Sequence, residues 1–152
     1  MSDSRNSDFT ILSEETIPVP WYLNLFPAAA NSYIKKKGSK ILLGRDSEMI
    51  KAAWIRINID VDLAKKVSKI IAHWCEWPNA LFVPDDKCSI LFQDINYDST
   101  TIGAMMQIED EIVPNLNLSV WSKTVSMSYG ELIRCIETTL RDSRPQGCRA
   151  NL

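Results

Sequence analysis

The apolar residues that follow position 60 recur at intervals of four, three, one and three, which is the spacing of one face of an amphipathic helix. They are Leu63, Val67, Ile70, Ile71 and Trp74. Asp60 or Asp62 suits the first turn, because a carboxylate there accepts hydrogen bonds from free backbone N–H groups. Trp77 precedes Pro78, and a residue before proline avoids the α region. The pattern predicts a helix from about position 60 that ends by position 77.

A second helix is predicted from Ser99 or Thr100 to Ile112, and Pro114 follows it. Gly103 weakens this helix by about 1 kcal/mol relative to alanine. We expect four of its side chains to face the core: Ile102, Met105, Met106 and Ile112.

The last helix is predicted to open at Ser128, because Glu131 three residues later completes a capping box. Asn79–Tyr97 connects the first two helices, and a structureless loop of that length is uncommon. We therefore expect a short helical turn around Lys87–Phe92. Apolar and polar residues alternate over Asn115–Trp121, which predicts a strand or an extended loop there.

The N-terminal third has weaker patterns. Phe9–Leu12 has the composition of a short strand, and Ser47–Ile57 has the composition of a helix. Pro18–Pro27 is apolar but holds three prolines, which favours an extended segment packed on the body. Ala28–Lys37 is predicted as a short helix that Gly38 stops.

The clustered lysines and the tryptophans each have a structural and a functional interpretation. The lysines at 35, 36, 37 and 40 form a basic cluster, which is typical of a solvated helix end because a helix C-terminus favours cations. The five tryptophans are explained by packing, with an aromatic binding patch as the alternative. They are Trp21, Trp54, Trp74, Trp77 and Trp121.

Composition and charge limit the classes of protein to which the chain can belong. The chain has 152 residues, of which 45% are hydrophobic and 24% charged, as in an ordinary globular domain with an appendage. Residues 61–141 carry 11 acids against 7 bases, a net of −4, whereas residues 1–60 carry 7 acids against 8 bases, a net of +1. The acidic part favours a protein partner with a basic surface, and nothing indicates nucleic acid. We divide the chain into an N-terminal extension packed on the body (1–59), a helical domain (60–141) and a flexible tail (142–152).

The cysteines, the single histidine and the first residues give no sign of metal binding, catalysis or export. The cysteines form no CxxC pair, and His73 has no companion, so we expect no metal site and separate reduced thiols. The opening MSDSRNSD lacks the features of a signal peptide. No apolar run approaches the roughly 18 residues of a membrane span. We therefore expect a cytoplasmic protein that is not an enzyme and has no membrane partner.

Three stretches carry a resemblance to a known family. They are LAKKVSKIIAHW, FVPDDKCSILFQDINYDS and TVSMSYGELIRCIETTL, in that order between positions 60 and 141. Their order and spacing resemble the acyl carrier protein family, whose members are small four-helix bundles that carry phosphopantetheine on a serine. The resemblance implies a mainly α fold, an acyl-carrier-like helical bundle to which residues 1–59 add an appendage of helix and extended chain.

The resemblance also implies a site. Ser99 would carry 4′-phosphopantetheine, and Asp98 would stand beside it, where the modifying enzymes of the family look for an acid. The phosphate would lie at a helix N-terminus, which favours an anion. Four acids would face basic grooves on partner proteins: Asp94, Glu109, Asp110 and Glu111.

The sequence departs from the family just after the serine, where Thr100 replaces the usual leucine. The apolar positions of the helix match those of the family only if one residue is deleted there. Serine is also among the best helix caps, so Ser99 has a purely structural explanation. A second hypothesis is therefore an interaction protein, for example a bacterial toxin-immunity protein, that reuses the bundle without the prosthetic group. A third, a hydrolase that uses Asp85, Asp86 and Ser99, has no motif behind it.

Overall fold

Helices make up most of the chain that the structure describes. A computed structural model describes residues 9–92, 97–114, 116 and 118–143. Within these ranges there are seven α-helices, two 3-10 turns and no β-strand. The helices are α1 Pro27–Leu43, α2 Ser47–Arg56, α3 Val61–Trp74, α4 Cys88–Leu91, α5 Tyr97–Glu111, α6 Leu118–Lys123 and α7 Tyr129–Asp142. The 3-10 turns are Trp21–Leu25 and Thr124–Ser126. The prediction of a mainly α-helical protein is confirmed.

The two helices with the strongest patterns begin where the sequence predicts. The Asp60 carboxylate caps α3 by accepting from the N–H groups of Asp62 at 2.9 Å and Leu63 at 3.3 Å. The Ser128 side chain and the Glu131 side chain form the capping box of α7. The four aliphatic residues predicted to face the core from α3 are buried: Leu63, Val67, Ile70 and Ile71. The short turn predicted around Lys87–Phe92 is α4.

Tyr129 lies at the centre of the core. Its ring packs edge-to-face against Trp54 of α2 at 5.3 Å and against Phe82 at 5.7 Å between centroids. Its hydroxyl lies 2.7 Å from the Ser68 hydroxyl of α3, so the buried polar atom has a partner. Burial raises the pKa of the Tyr129 phenol above its ordinary value, and the group stays neutral. One side chain thus joins α2, α3, α7 and the segment before α4.

α1 does not end at Gly38, as the sequence predicted, but continues for another five residues to Leu43. Gly38 is buried, and a Cβ added there would lie 2.9 Å from the ring of Trp77. The glycine therefore lets the helix approach the tryptophan closely rather than breaking it. The helix ends at Leu43, before Arg45, whose side chain forms an ion pair with Asp86.

Three other local predictions are wrong. The first is the short strand at Phe9–Leu12, which does not form. The segment Pro18–Pro27 contains the 3-10 turn Trp21–Leu25, which has no buried residue, instead of extended chain packed on the body. α6 occupies most of the predicted strand at Asn115–Trp121. The N–H of Leu12 bonds to a side chain and its carbonyl accepts from Lys87, so that segment is held without a partner strand.

A buried ion pair fastens the N-terminal residues to the rest. Arg45 and Asp86 are 3% and 0% exposed, and the guanidinium meets the carboxylate in two parallel contacts of 2.7 Å. The same carboxylate accepts from the N–H groups of Leu12 and Val83, each at 2.9 Å. Arg45 also donates to the carbonyl of Leu81 at 2.8 Å. The pair therefore joins three stretches of chain that are far apart in sequence.

We expect Asp86→Ala to lower the free energy of unfolding by about 3–5 kcal/mol, because it leaves the Arg45 charge buried without its counter-ion. Urea denaturation followed by circular dichroism measures the change. The neighbouring exposed Asp85 gives the matched control, and Asp85→Ala should stay within about 0.5 kcal/mol of wild type. Equal effects of the two substitutions would show that the buried pair does not secure the fold.

Candidate functional site

α5 presents one outward stripe that combines a hydroxyl, two large apolar side chains and an acid. Ser99, Ile102, Met106 and Asp110 are all exposed and follow one another at intervals of three, four and four. On a helix these positions lie within about 80° of one another. We call these four residues the α5 stripe. Ile102 is 53% exposed and Met106 is 60% exposed, and the two side chains lie one turn apart on the same face of the helix.

The opposite face of α5 is held against α3 and the core. Ala104 and Ile108 are fully buried, and the Thr101 hydroxyl donates to the carbonyl of Phe92 at 2.9 Å. Gly103 faces the ring of Trp74, where an added Cβ would lie 2.5 Å from the nearest ring atom. These contacts fix which side of the helix is left to solvent.

Two hydrogen bonds from indole groups set the rotation of α5. Trp74 of α3 donates its Nε1–H to Gln107 Oε1 at 2.6 Å. Trp121 of α6 donates its Nε1–H to Glu109 Oε1 at 3.0 Å. Because the two donors come from different helices, α5 is tied on both flanks while the α5 stripe stays uncovered.

The prediction that Ile102 and Met106 face the core is wrong. Apolar residues occur on every side of α5, so their spacing alone did not identify the buried face. The packing of Gly103 on Trp74 decides it, since the buried positions then fall at 101, 104 and 108. Met105 and Ile112, predicted to face the core together with them, are half-buried and pack against it.

Ser99 lies in the first turn of α5, which begins at Tyr97, so it is not the residue that caps the helix. The backbone of Asp98 belongs to the same turn, and its side chain is outside the described part of the structure. Asp94 also lies outside the described residues. The serine predicted to carry a prosthetic group is therefore an exposed residue in the first turn of α5.

The three acids at the end of α5 point in different directions. Glu109 is half-buried and bonded to Trp121, as described above. Asp110 is exposed and belongs to the α5 stripe. Glu111 accepts from Gln107 Nε2 at 3.0 Å and lines a groove beside α3. The predicted acidic cluster thus contributes one carboxylate to the stripe, one to the packing of α6 and one to the groove.

That groove consists of two adjoining cavities, one of about 500 Å³ between α3, α5 and α7 and one of about 450 Å³ between α3 and α5. Both cavities touch Lys66, Glu111 and Ile112. The larger also touches Glu137 and Arg141 of α7, whose charged atoms are 3.6 Å apart. Acids and bases alternate on its wall, so the groove suits a polar or zwitterionic surface better than an apolar chain.

Of the three residues that the hydrolase hypothesis uses, Asp85 and Ser99 are exposed, whereas Asp86 is held inside the fold. Asp86 is fully buried, and both of its oxygens accept hydrogen bonds. Burial, with Glu131 and Asp86 nearby, raises the pKa of the Cys88 thiol to about 12, so this thiol is a poor nucleophile. Among the described residues no three side chains of the metal-binding types lie close enough together to hold an ion. No helix in the described ranges is long and apolar enough to cross a membrane.

Comparisons with protein families, curated proteins and solved structures found no match for the chain. The acyl carrier resemblance therefore rests on the residues and the order of helices alone, and it stays a prediction. The sequence did contain one clue to the α5 stripe. An isolated glycine inside a predicted helix can mark close approach by another group, here Trp74.

We expect Gly103→Ala to destabilise the protein by about 1–2 kcal/mol, because the clash with Trp74 outweighs the gain in helix propensity of about 1 kcal/mol. Urea denaturation followed by tryptophan fluorescence measures the stability. Gly44→Ala is the control, since a Cβ there meets no atom closer than 3.6 Å and the position is exposed. It should be neutral or stabilising by up to about 1 kcal/mol. A Gly103→Ala protein as stable as wild type would contradict the close contact.

Proposed function

We propose that this protein is a non-enzymatic, acyl-carrier-like module that presents α5 to a protein partner. The observation that carries the proposal is the α5 stripe, in which Ile102 and Met106 are exposed between a hydroxyl at one end and a carboxylate at the other. The fold buries Ala104 and Ile108 instead, so it does not require these large side chains for its core. Exposed apolar side chains that share one helix face are typical of a docking surface.

The chemistry of the stripe indicates the kind of partner. A groove that accepts a helix takes apolar side chains at intervals of three and four, which is the spacing of the stripe. Asp110 at one end favours a basic rim on that groove. The net charge of −4 over residues 61–141 would also speed the encounter with a basic surface. The partner we propose is therefore a protein with an apolar groove and basic residues around it.

The position of Ser99 supports the carrier form of the proposal. The hydroxyl is exposed, shares the stripe with the docking residues and lies on the first turn of a 15-residue helix. A phosphodiester there gains from the backbone N–H groups and the dipole of the helix. The order of a long helix, a short turn, α5, a short helix and α7 is also that of the resemblance. In this form Ser99 carries 4′-phosphopantetheine, and α5 presents the thiol to partner enzymes.

Co-expression with a broad-specificity phosphopantetheinyl transferase, followed by intact-mass spectrometry, tests the carrier form. We expect the mass of wild type to rise by one phosphopantetheinyl group, because Ser99 is accessible. Ser99→Ala should show no increase, and the exposed helical Ser122→Ala should behave as wild type. An unmodified wild type would contradict the prosthetic group and leave docking through α5 as the function, as in a toxin-immunity protein.

A photo-reactive amino acid in place of Met106 tests the docking surface itself. In cells that make the protein naturally, we expect one discrete cross-linked partner with a basic surface, because the stripe lies within the interface. Asp110→Lys in the same chain should reduce the yield about tenfold, since it reverses the charge that the basic rim attracts. The control places the photo-reactive group at Met49, which is exposed on α2. The same adducts from both positions would contradict a specific α5 interface.

A further inference from the structure

A second exposed apolar surface lies in the turn before α1, far from α5 in the sequence. Trp21 is 77% exposed, Leu25 69% and Phe26 65%, and Tyr22 is also exposed. These four side chains fall within six consecutive residues. The 3-10 turn Trp21–Leu25 holds three of them and buries none of its five residues, and Phe26 follows it directly. We call Trp21, Tyr22, Leu25 and Phe26 the apolar turn. Hydrophobic residues exposed singly need no explanation, whereas a cluster of this kind does.

The apolar turn is part of a stretch without acids. From Pro18 to Arg45 the chain contains no Asp or Glu, and it contains four lysines and one arginine. Arg45 is neutralised by Asp86, and Lys35 is half-buried with its Nζ 4.4 Å from the centre of the Trp77 ring. The other three lysines are exposed: Lys36, Lys37 and Lys40.

Among the described residues, no carboxylate forms an ion pair with the exposed lysines. Lys36 and Lys40 are one turn apart on the outward face of α1, which begins one residue after Phe26. The ion pairs found within the described residues are Arg45–Asp86 and Arg141–Glu137, so neither includes a lysine. The stretch from Pro18 to Arg45 therefore combines protruding apolar groups with uncompensated positive charge.

We propose that the apolar turn and the exposed lysines of α1 bind the surface of an anionic phospholipid bilayer. The aromatic and leucine side chains enter the interfacial region, where tryptophan and tyrosine rings are favoured. Lys36, Lys37 and Lys40 meet the acidic headgroups, each adding to the attraction within a Debye length of the surface. The association is peripheral and reversible. It differs from the expectation that the protein has no membrane partner.

The charge and chemistry of the apolar turn favour a bilayer over a protein groove. Pro18–Pro27 has no charged residue, and the exposed groups of the turn are almost wholly apolar. A bilayer interface accepts such side chains without matched pockets. The absence of acids over 28 consecutive residues matches a surface whose charge is uniformly negative, which phosphatidylglycerol or phosphatidylserine provides.

Co-sedimentation of the full chain with vesicles tests the proposal. Vesicles of phosphatidylcholine alone are compared with vesicles that also contain phosphatidylglycerol, at low and high NaCl. We expect partition onto the anionic vesicles at least about tenfold stronger than onto neutral ones, and weaker as salt rises. Trp21→Ser with Phe26→Ser should weaken partition at least about tenfold, and so should Lys36→Glu with Lys40→Glu.

The control is Met49→Ser with Ile55→Ser, which removes two exposed apolar groups from α2 and should leave partition unchanged. All three double variants change exposed side chains, and circular dichroism checks that each is folded. Equal partition onto neutral and anionic vesicles, or none, would overturn the proposal, as would full binding by the Trp21–Phe26 variant. If wild type self-associates in sedimentation velocity and that variant is monomeric, a second copy covers the apolar turn and the proposal is also wrong.

Discussion

The buried pair between Arg45 and Asp86 is the constraint on which the rest of the structure depends. Removing two charges from water costs several kcal/mol per ion, which their pairing and additional hydrogen bonds must offset. Here those bonds require the segment of Leu12, the junction of α1 and α2, and the loop that contains Val83 to come together. The network therefore links the N-terminal residues to the helices after position 60. It favours all-or-none folding of these parts.

The loop that contains Asp86 also positions α7, and through Tyr129 of α7 it positions α3, the helix against which α5 packs. The Asp86 carbonyl accepts from the N–H of Tyr129 at 2.7 Å, and the Pro84 carbonyl accepts from the N–H of Gly130 at 2.8 Å. Tyr129 then reaches Ser68 on α3, the helix against which α5 packs. A chain of specific contacts thus runs from the ion pair to Trp74 and Gly103. The outward direction of the α5 stripe is a consequence of how the core is assembled.

The sequence predicted the helices whose signals are local and missed what depends on contacts distant in the chain. The capping box at Ser128 and the periodicity after Asp60 act within one or two turns, so both helices were placed correctly. Gly38 and Gly103 were interpreted by their intrinsic helix propensity, which tertiary packing against Trp77 and Trp74 overrides.

The candidate site was predictable only in part, for the same reason. The sequence predicted Ser99 at the start of a helix and the carboxylates at its end. It could not show that Ile102 faces outward. Apolar residues occur on every side of α5, and the contact of Gly103 with Trp74 decides which side is buried. Nor could it predict the pairing of Arg45 with Asp86, since one arginine and one aspartate 41 positions apart carry no pattern.

The two proposed surfaces carry opposite charge, and this has a consequence for how they would work together. Residues 18–45 contain no acid, whereas residues 61–141 have a net charge of −4. An anionic bilayer would attract the first part and repel the second within a Debye length, which is about 8 Å at physiological salt. The α5 stripe, with Asp110 at its end, would then be held away from the lipid and stay open to a basic partner. The uneven distribution of charge along the chain would therefore orient the protein at a membrane. The overall charge of −2 alone does not indicate this orientation.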